Sequence, residues 1–188
     1  VIAAPTSGTG YSTEDVRKGG NGYIPISLQY SDYAAEHARE ESLAGGDRLE
    51  KSANRSYKGK SVKTVNKSDL PTVIDTKAKM SDKPVVVVVS TGKPFVPEFE
   101  PYADAIIVSF GCQEQDLLDL ISGAVEPSAL LPMQLPADMK TVELQMEDVP
   151  FDMDCYVDAD GNAYDFAYGL NWSGRISDAR TEKYSVTR

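Results

Sequence analysis

The sequence predicts an α/β fold: a three-layer α/β/α sandwich with a mainly parallel sheet, incomplete at its N-terminus. Three observations predict it. Two stretches, KPVVVVVS (Lys83–Ser90) and ADAIIVSFG (Ala103–Gly111), are rich in β-branched residues without polar alternation. Such runs read as strands covered on both faces, as in a parallel sheet. Segments with helical periodicity adjoin them, which is the pattern of a layered α/β domain. The chain opens on VIAAP, which reads as the end of another buried strand running at once into a loop.

The elements follow in order. A strand that begins at residue 1 would lack most of its ladder, so Val1 is expected to be a cut rather than a natural start. The sheet should then show an unpaired edge with exposed Val and Ile, open to pairing with a second chain. From Gly8 to Asn66 the chain is polar and irregular, with a polar insertion expected over about 20–66. Within it, Pro25 demotes YIPISLQY (Tyr23–Tyr30) to an edge or loop. DYAAEHAREESLAGG (Asp32–Gly46) reads as a short helix, capped by Asp32, favoured by its alanines and ended by Gly45 and Gly46. Ser68 is expected to cap a helix in which Leu70, Val73, Ile74 and Lys77 share a face. QEQDLLDLISG (Gln113–Gly123) is expected to be a helix that buries Leu117, Leu118, Leu120 and Ile121. EPSALLPMQLPAD, with three prolines, should form extended segments and turns, and DADGN (Asp158–Asn162) a hairpin. One domain over residues 1–180 is expected, with a polar tail over 181–188.

Composition narrows the function classes. The chain has 188 residues, enough for one domain with a core, and a net charge of -10. That acidity disfavours nucleic acid and anionic membrane surfaces, which select basic patches. The longest apolar run, Val85–Val89, is far too short to span a bilayer. Two cysteines, Cys112 and Cys155, match no zinc spacing, and a single histidine, His37, excludes a multi-histidine site. No metal or cofactor is expected. The glycine-rich stretch SGTGYSTEDVRKGG (Ser7–Gly20) lacks both the Gly-x-Gly-x-x-Gly spacing and the Lys-Ser/Thr ending of a phosphate cradle.

Three motifs in order point to a family. They are KPVVVVVSTGKPF, then ADAIIVSFGCQEQDLLDLISGAVEPSALLPMQLP, then FAYGLNW. The second resembles a strand, a Gly-Gln-Glu turn, a helix ending in Gly, Asn-Pro-Ser-Gly and Leu-Pro. The third is similar to Phe-Gly-Tyr-Gly-Leu-Ser-Tyr. Together they resemble the C-terminal α/β domain of glycoside hydrolase family 3, the β-glucosidase group, over about Lys83–Trp172. Cys112, Ala129 and Ala167 stand where the family has Gly, and Glu126 where it has Asn. These departures lie in packing signatures.

The resemblance implies part of a retaining β-glycosidase acting on a β-glucoside or oligosaccharide. Its nucleophile would be an aspartate on a preceding barrel domain, and this chain would supply the loop with the acid/base. The chain by itself would be inactive. Periplasmic or secreted relatives are common. Retention requires two carboxyl groups roughly 5–5.5 Å apart, one attacking and one shuttling the proton. In many members the loop reads Glu-Gly-Tyr-Asp; here the matching stretch is TGYS, with Thr9 in place of that glutamate. Threonine cannot transfer a proton at neutral pH. Other members carry Tyr, then Glu, then Lys-Gly-Asp-Asn, which YSTEDVRKGGN resembles. Glu14 is therefore the first catalytic candidate and Asp15 the second, with Glu36, Glu40 or Glu41 of the insertion as alternatives.

Plainer readings stand beside these. A Glu-Asp pair in a loop is commonly a solvated charge pair, and His37 a surface residue. Cys112 is expected to be a buried thiol. Asp158–Asn162 has oxygens at alternate positions but lacks the glycine and late glutamate of a calcium loop, so a hairpin is expected. Tyr164, Phe166, Tyr168 and Trp172 are expected mainly to pack the domain. A non-catalytic module that binds carbohydrate or a partner domain remains the alternative to the enzyme.

Overall fold

The computed structural model describes residues 1–42, 53–146, 149 and 151–184. Its centre is a parallel three-stranded sheet made of β1 (Ile2–Ala3), β4 (Val86–Ser90) and β5 (Ala105–Ser109), in the order β1-β4-β5. The α/β fold with a parallel sheet is thus as the sequence predicts. β4 is the middle strand because its three central valines can be withdrawn from water on both faces. Val87, Val88 and Val89 are all buried. Val85, Val87 and Val89 join Tyr30, Phe95, Phe99, Leu135, Val73 and Ala4 in the main core, with Ile106 and Val108 of β5 packed against it. Phe95 stacks on Phe99, and Tyr30 meets Phe99 edge-on. The Tyr30 hydroxyl reaches back to donate to the Ala3 carbonyl at 2.8 Å, so the buried phenol also holds the end of β1.

Helix α2 (Asp69–Met80) closes this core with Val73 and Leu70. Ser68 does not cap it through its side chain, contrary to expectation. Ser68 is already helical, and the Asn66 side-chain amide donates to Asp69 at 2.9 Å one turn earlier. At the far end Lys77 pairs with Asp104 at 2.6 Å, and Asp104 also accepts from the Val85 amide at 2.7 Å. One carboxylate thereby ties the helix to the starts of both long strands.

Two other expectations are corrected. Residues 32–42 form no helix, and Gly45 and Gly46 lie outside the described residues. Tyr33–Ala34 is instead a strand, β2, paired antiparallel with β3 (Ser61–Val62). Tyr33, Ala35 and Ala38 are buried against Met139, with Leu28, Tyr57, Val62 and Val142 around them. Alanine favours a helix only weakly, and this second cluster outweighs that preference. Its helical member, α4 (Met139–Leu144), follows the proline-rich stretch and is capped by Asp138, which accepts from the Thr141 amide at 2.7 Å.

The second correction is α3 (Glu114–Ile121). It forms where the periodicity places it, with Gln113 and Asp116 closing a capping box. None of its residues is buried, and Leu118 and Ile121 are 58% and 49% exposed. β5 is correspondingly an edge strand, half-buried rather than enclosed. β1 is the opposite edge, and beside it Val1 is exposed. The remaining elements are short: a hairpin of β6 (Leu170–Asn171) and β7 (Gly174–Arg175), and α5 (Ala179–Lys183), capped by Asp178.

Removing a core ring should therefore be costly and trimming α3 should not. Phe99→Ala should lower the unfolding free energy by about 3–5 kcal/mol, against less than about 0.5 kcal/mol for Leu118→Ala. Urea denaturation of this chain checks it; equal losses would put α3 in the core.

Candidate active-site loop

All three parallel strands end at one level. Ala3 is paired with Ser90, and Ser90 with Ser109. The segments that follow them therefore leave the same edge of the sheet. That edge, at the carboxyl ends of the strands, is where open α/β sheets hold ligands. The glycine-rich stretch is the first of these segments.

Its geometry is that of a closed loop rather than a solvated coil. Thr9 is exposed between Gly8 and Gly10, both at positive φ. The chain then runs out and back on itself: the Tyr11 and Tyr23 backbones bridge, Ile24 donates to the Gly10 carbonyl at 3.0 Å, and Ser12 to Gly22 at 2.8 Å. Between these limbs sits α1 (Thr13–Arg17), its Ser12 cap accepting from the Asp15 amide at 3.2 Å. The Tyr11 and Tyr23 rings meet edge-to-face at 5.7 Å. Gly22 is required here. Its φ is +86°, and a Cβ would lie 2.5 Å from the Tyr11 ring.

The two candidate carboxylates have different surroundings. Glu14 lies on the outer face of α1, its side chain 72% exposed, paired with Lys18 at 2.7 Å one turn on. Hydrogen bonding from the Lys18 ammonium, then its charge, holds the Glu14 carboxyl below the usual range. Asp15 faces inward, with its side chain 24% exposed. It accepts from Lys60 at 2.7 Å and from the Gly22 amide at 2.8 Å. The Lys60 bond first and the Gly22 bond second hold its carboxyl low. Both groups are thus ionised at neutral pH as they stand. Asp15 is committed to closing the loop, whereas Glu14 is free to swing away from a solvated partner.

The insertion carboxylates are elsewhere. Glu36 and Glu41 are exposed, and Glu40, 81% exposed, pairs with Lys58 at 3.0 Å. His37 is exposed, as expected, and its backbone amide donates to Glu143 at 3.0 Å.

Residues 31–172 match the glycosyl hydrolase family 3 C-terminal domain. The chain belongs to this family. Among similar proteins are the probable β-glucosidases C of Aspergillus flavus and Aspergillus oryzae, each 33% identical over 115 residues. That alignment covers 61% of this chain and 15% of each relative. β-Glucosidase C of Emericella nidulans is 36% identical over 85 residues, 45% of this chain and 12% of its own length. The chain thus spans about one seventh of the curated relatives it matches. No solved structure matches. The family span starts at residue 31, after the glycine-rich loop.

Within the family 3 span, several side chains differ from expectation. Cys112 is exposed rather than buried, with its sulfur 3.2 Å from the Ser109 hydroxyl; the buried thiol is Cys155. Gly111, at φ +97°, turns the chain away from the sheet just before it. Asp158 closes its own hairpin turn, accepting from the Asp160 and Asn162 amides at 3.0 and 2.8 Å. Tyr168 is buried and stacks on Tyr164 at 5.2 Å, so both pack the domain. Phe166 and Trp172 are 36% and 63% exposed and pack it less.

Sequence reasoning overlooked Glu143 on α4. Its residue is 8% exposed, it accepts from His37, and it helps burial push the Tyr33 phenol far up. No sequence pattern distinguishes it from any other helical glutamate. Only the second cluster, formed from distant segments, withdraws it from water.

The Asp15 tie has a pH signature. Its folded pKa is depressed, so its contribution is complete above the unfolded value of about 3.9 and is lost as pH falls through the folded value. Amide hydrogen exchange at Gly22 should show steady protection above about pH 4 and loss of it below. Asp15→Ala, which removes the acceptor, should abolish that protection at neutral pH. Unchanged protection in that variant would show that another group holds the loop.

Proposed function

We propose that this chain is the acid-bearing part of a retaining β-glucosidase-like enzyme that hydrolyses O-glycosidic bonds of a β-glucoside or oligosaccharide. The reading rests on membership of family 3 and on relatives named β-glucosidase. The observation that carries the loop assignment is its place. A folded loop with two carboxylates leaves the carboxyl end of the parallel strand β1, beside the end of β4 and level with that of β5. The nucleophile belongs to a separate barrel domain, and the chain alone is inactive.

Glu14 is the acid/base in this proposal and Asp15 the second candidate. Glu14 projects outward from α1, where a facing domain can be reached. In the free chain its Lys18 partner keeps it ionised. Packing of a barrel and a sugar against the loop removes water, which disfavours the charged carboxylate and raises its affinity for a proton. Glu14 then protonates the leaving oxygen as the nucleophile attacks. The resulting carboxylate takes a proton from water in the second half-reaction.

One observation favours the alternative of a non-catalytic module: Thr9 occupies the position of the usual acid, and both nearby carboxylates are ionised as they stand. The two readings separate on activity. In the full-length protein, Glu14→Gln should slow aryl β-glucosides with poor leaving groups by about 10²-fold or more. Substrates with activated leaving groups need no acid and should change little. Azide should rescue Glu14→Ala by forming a glucosyl azide. Equal loss on both substrate types would remove Glu14 from the role, and a full-length protein with no glycosidase activity would favour the module.

A further inference from the structure

We infer that Lys60 is a positioning residue for the acid-bearing loop, acting through Asp15 and Asn21; this rests on the proposed role of that loop. Lys60 comes from a distant part of the chain, one residue before β3. Its ammonium donates to Asp15 at 2.7 Å, to the Asn21 side-chain oxygen at 2.6 Å and to the Tyr23 carbonyl at 2.8 Å. An ammonium has three donor directions, and each is used on the same loop. The acceptors stand on α1, on the return limb and beside the Tyr11–Tyr23 bridge, so one group fixes the loop at three points.

The pair is also unusually sheltered. Its side chains are 26% and 24% exposed, whereas each of the other described ion pairs has at least one partner more than 36% exposed. Screening by solvent and salt is weaker for such a pair. Lys60 is itself held from behind. Its carbonyl accepts from Ala35 and its amide donates to Tyr57. Ala35 is buried in the second cluster, and Tyr57 packs against it. Asn21 adds a parallel tie, donating to the Asn54 and Ser56 carbonyls at 2.9 and 2.7 Å. The polar insertion is therefore the support against which the loop is braced.

General acid catalysis depends on placing a proton within hydrogen-bond reach of the leaving oxygen, and small displacements are costly. A lost brace should therefore impair the acid step more than the binding of sugar. The test uses the full-length protein with Lys60→Met, which removes the charge and keeps an unbranched apolar stem. Lys60→Gln, which retains one donor arm, is the second variant should the first not fold. The readout is kcat/KM for aryl β-glucosides of graded leaving-group ability, alone and combined with Glu14→Gln.

Lys60→Met is expected to slow poor leaving groups at least tenfold, to change activated ones less than about twofold, and to add nothing in the Glu14→Gln background. Lys60→Gln should show the same selectivity, more weakly. Equal losses across leaving groups, or none, in a folded Lys60 variant overturn the proposal, whatever Glu14→Gln shows. Selectivity in Lys60→Met without selectivity in Glu14→Gln overturns the Glu14 assignment. It leaves Lys60 as the brace of Asp15, the other acid on the loop.

Discussion

The parallel ladder around β4 is the constraint on which the rest depends. Val86–Ser90 is bonded on both sides, to β1 and to β5, and its valines are withdrawn on both faces. A strand placed so has no freedom to slip, because a one-residue shift would exchange its two sets of side chains. Fixing β4 fixes where β1 and β5 end, and so fixes the edge from which the glycine-rich loop departs. The Tyr30 hydroxyl on the Ala3 carbonyl and the Asp104 carboxylate on the Val85 amide hold opposite ends of this arrangement.

A second, smaller apolar cluster has a separate task. Tyr33, Ala35, Ala38 and Met139 bring a strand of the polar segment onto α4. Little of this concerns the main core. Its consequence is that residues 54–60 stand behind the glycine-rich loop and present Lys60 and two backbone carbonyls to it. A segment that looks like a decoration in the sequence is the buttress of the candidate site. Family 3 membership accounts for the α/β class, while the brace is read from the hydrogen bonds of Lys60 and Asn21.

The electrostatics of the loop distinguish its two carboxylates. Two carboxylates stand side by side on a five-residue helix, and each has a lysine. The sheltered pair closes the loop and keeps its proton off. The exposed pair costs little to break, since solvated ion pairs are weak. Adjacent acids thus differ in exposure and in partners through their surroundings alone, although a lysine holds each of them ionised.

The sequence by itself determined the α/β class, both long strands, helices α2 and α3, the hairpin at Asp158 and the family. Each rests on local periodicity, turn chemistry or ordered motifs, which are legible over ten or twenty residues. Tertiary structure decided the rest. Asp32–Gly46 reads as a helix because alanine-rich segments favour one, yet Tyr33 and Ala35 gain more from burial beside Met139. Leu118 and Ile121 read as buried because their spacing is helical, but spacing cannot say whether a neighbour covers them. Glu14 and Asp15 are indistinguishable as letters. Lys60, forty-five positions from Asp15, makes one of them a strut and leaves the other to its solvated Lys18 pair, and such a pairing is set only when the chain has folded.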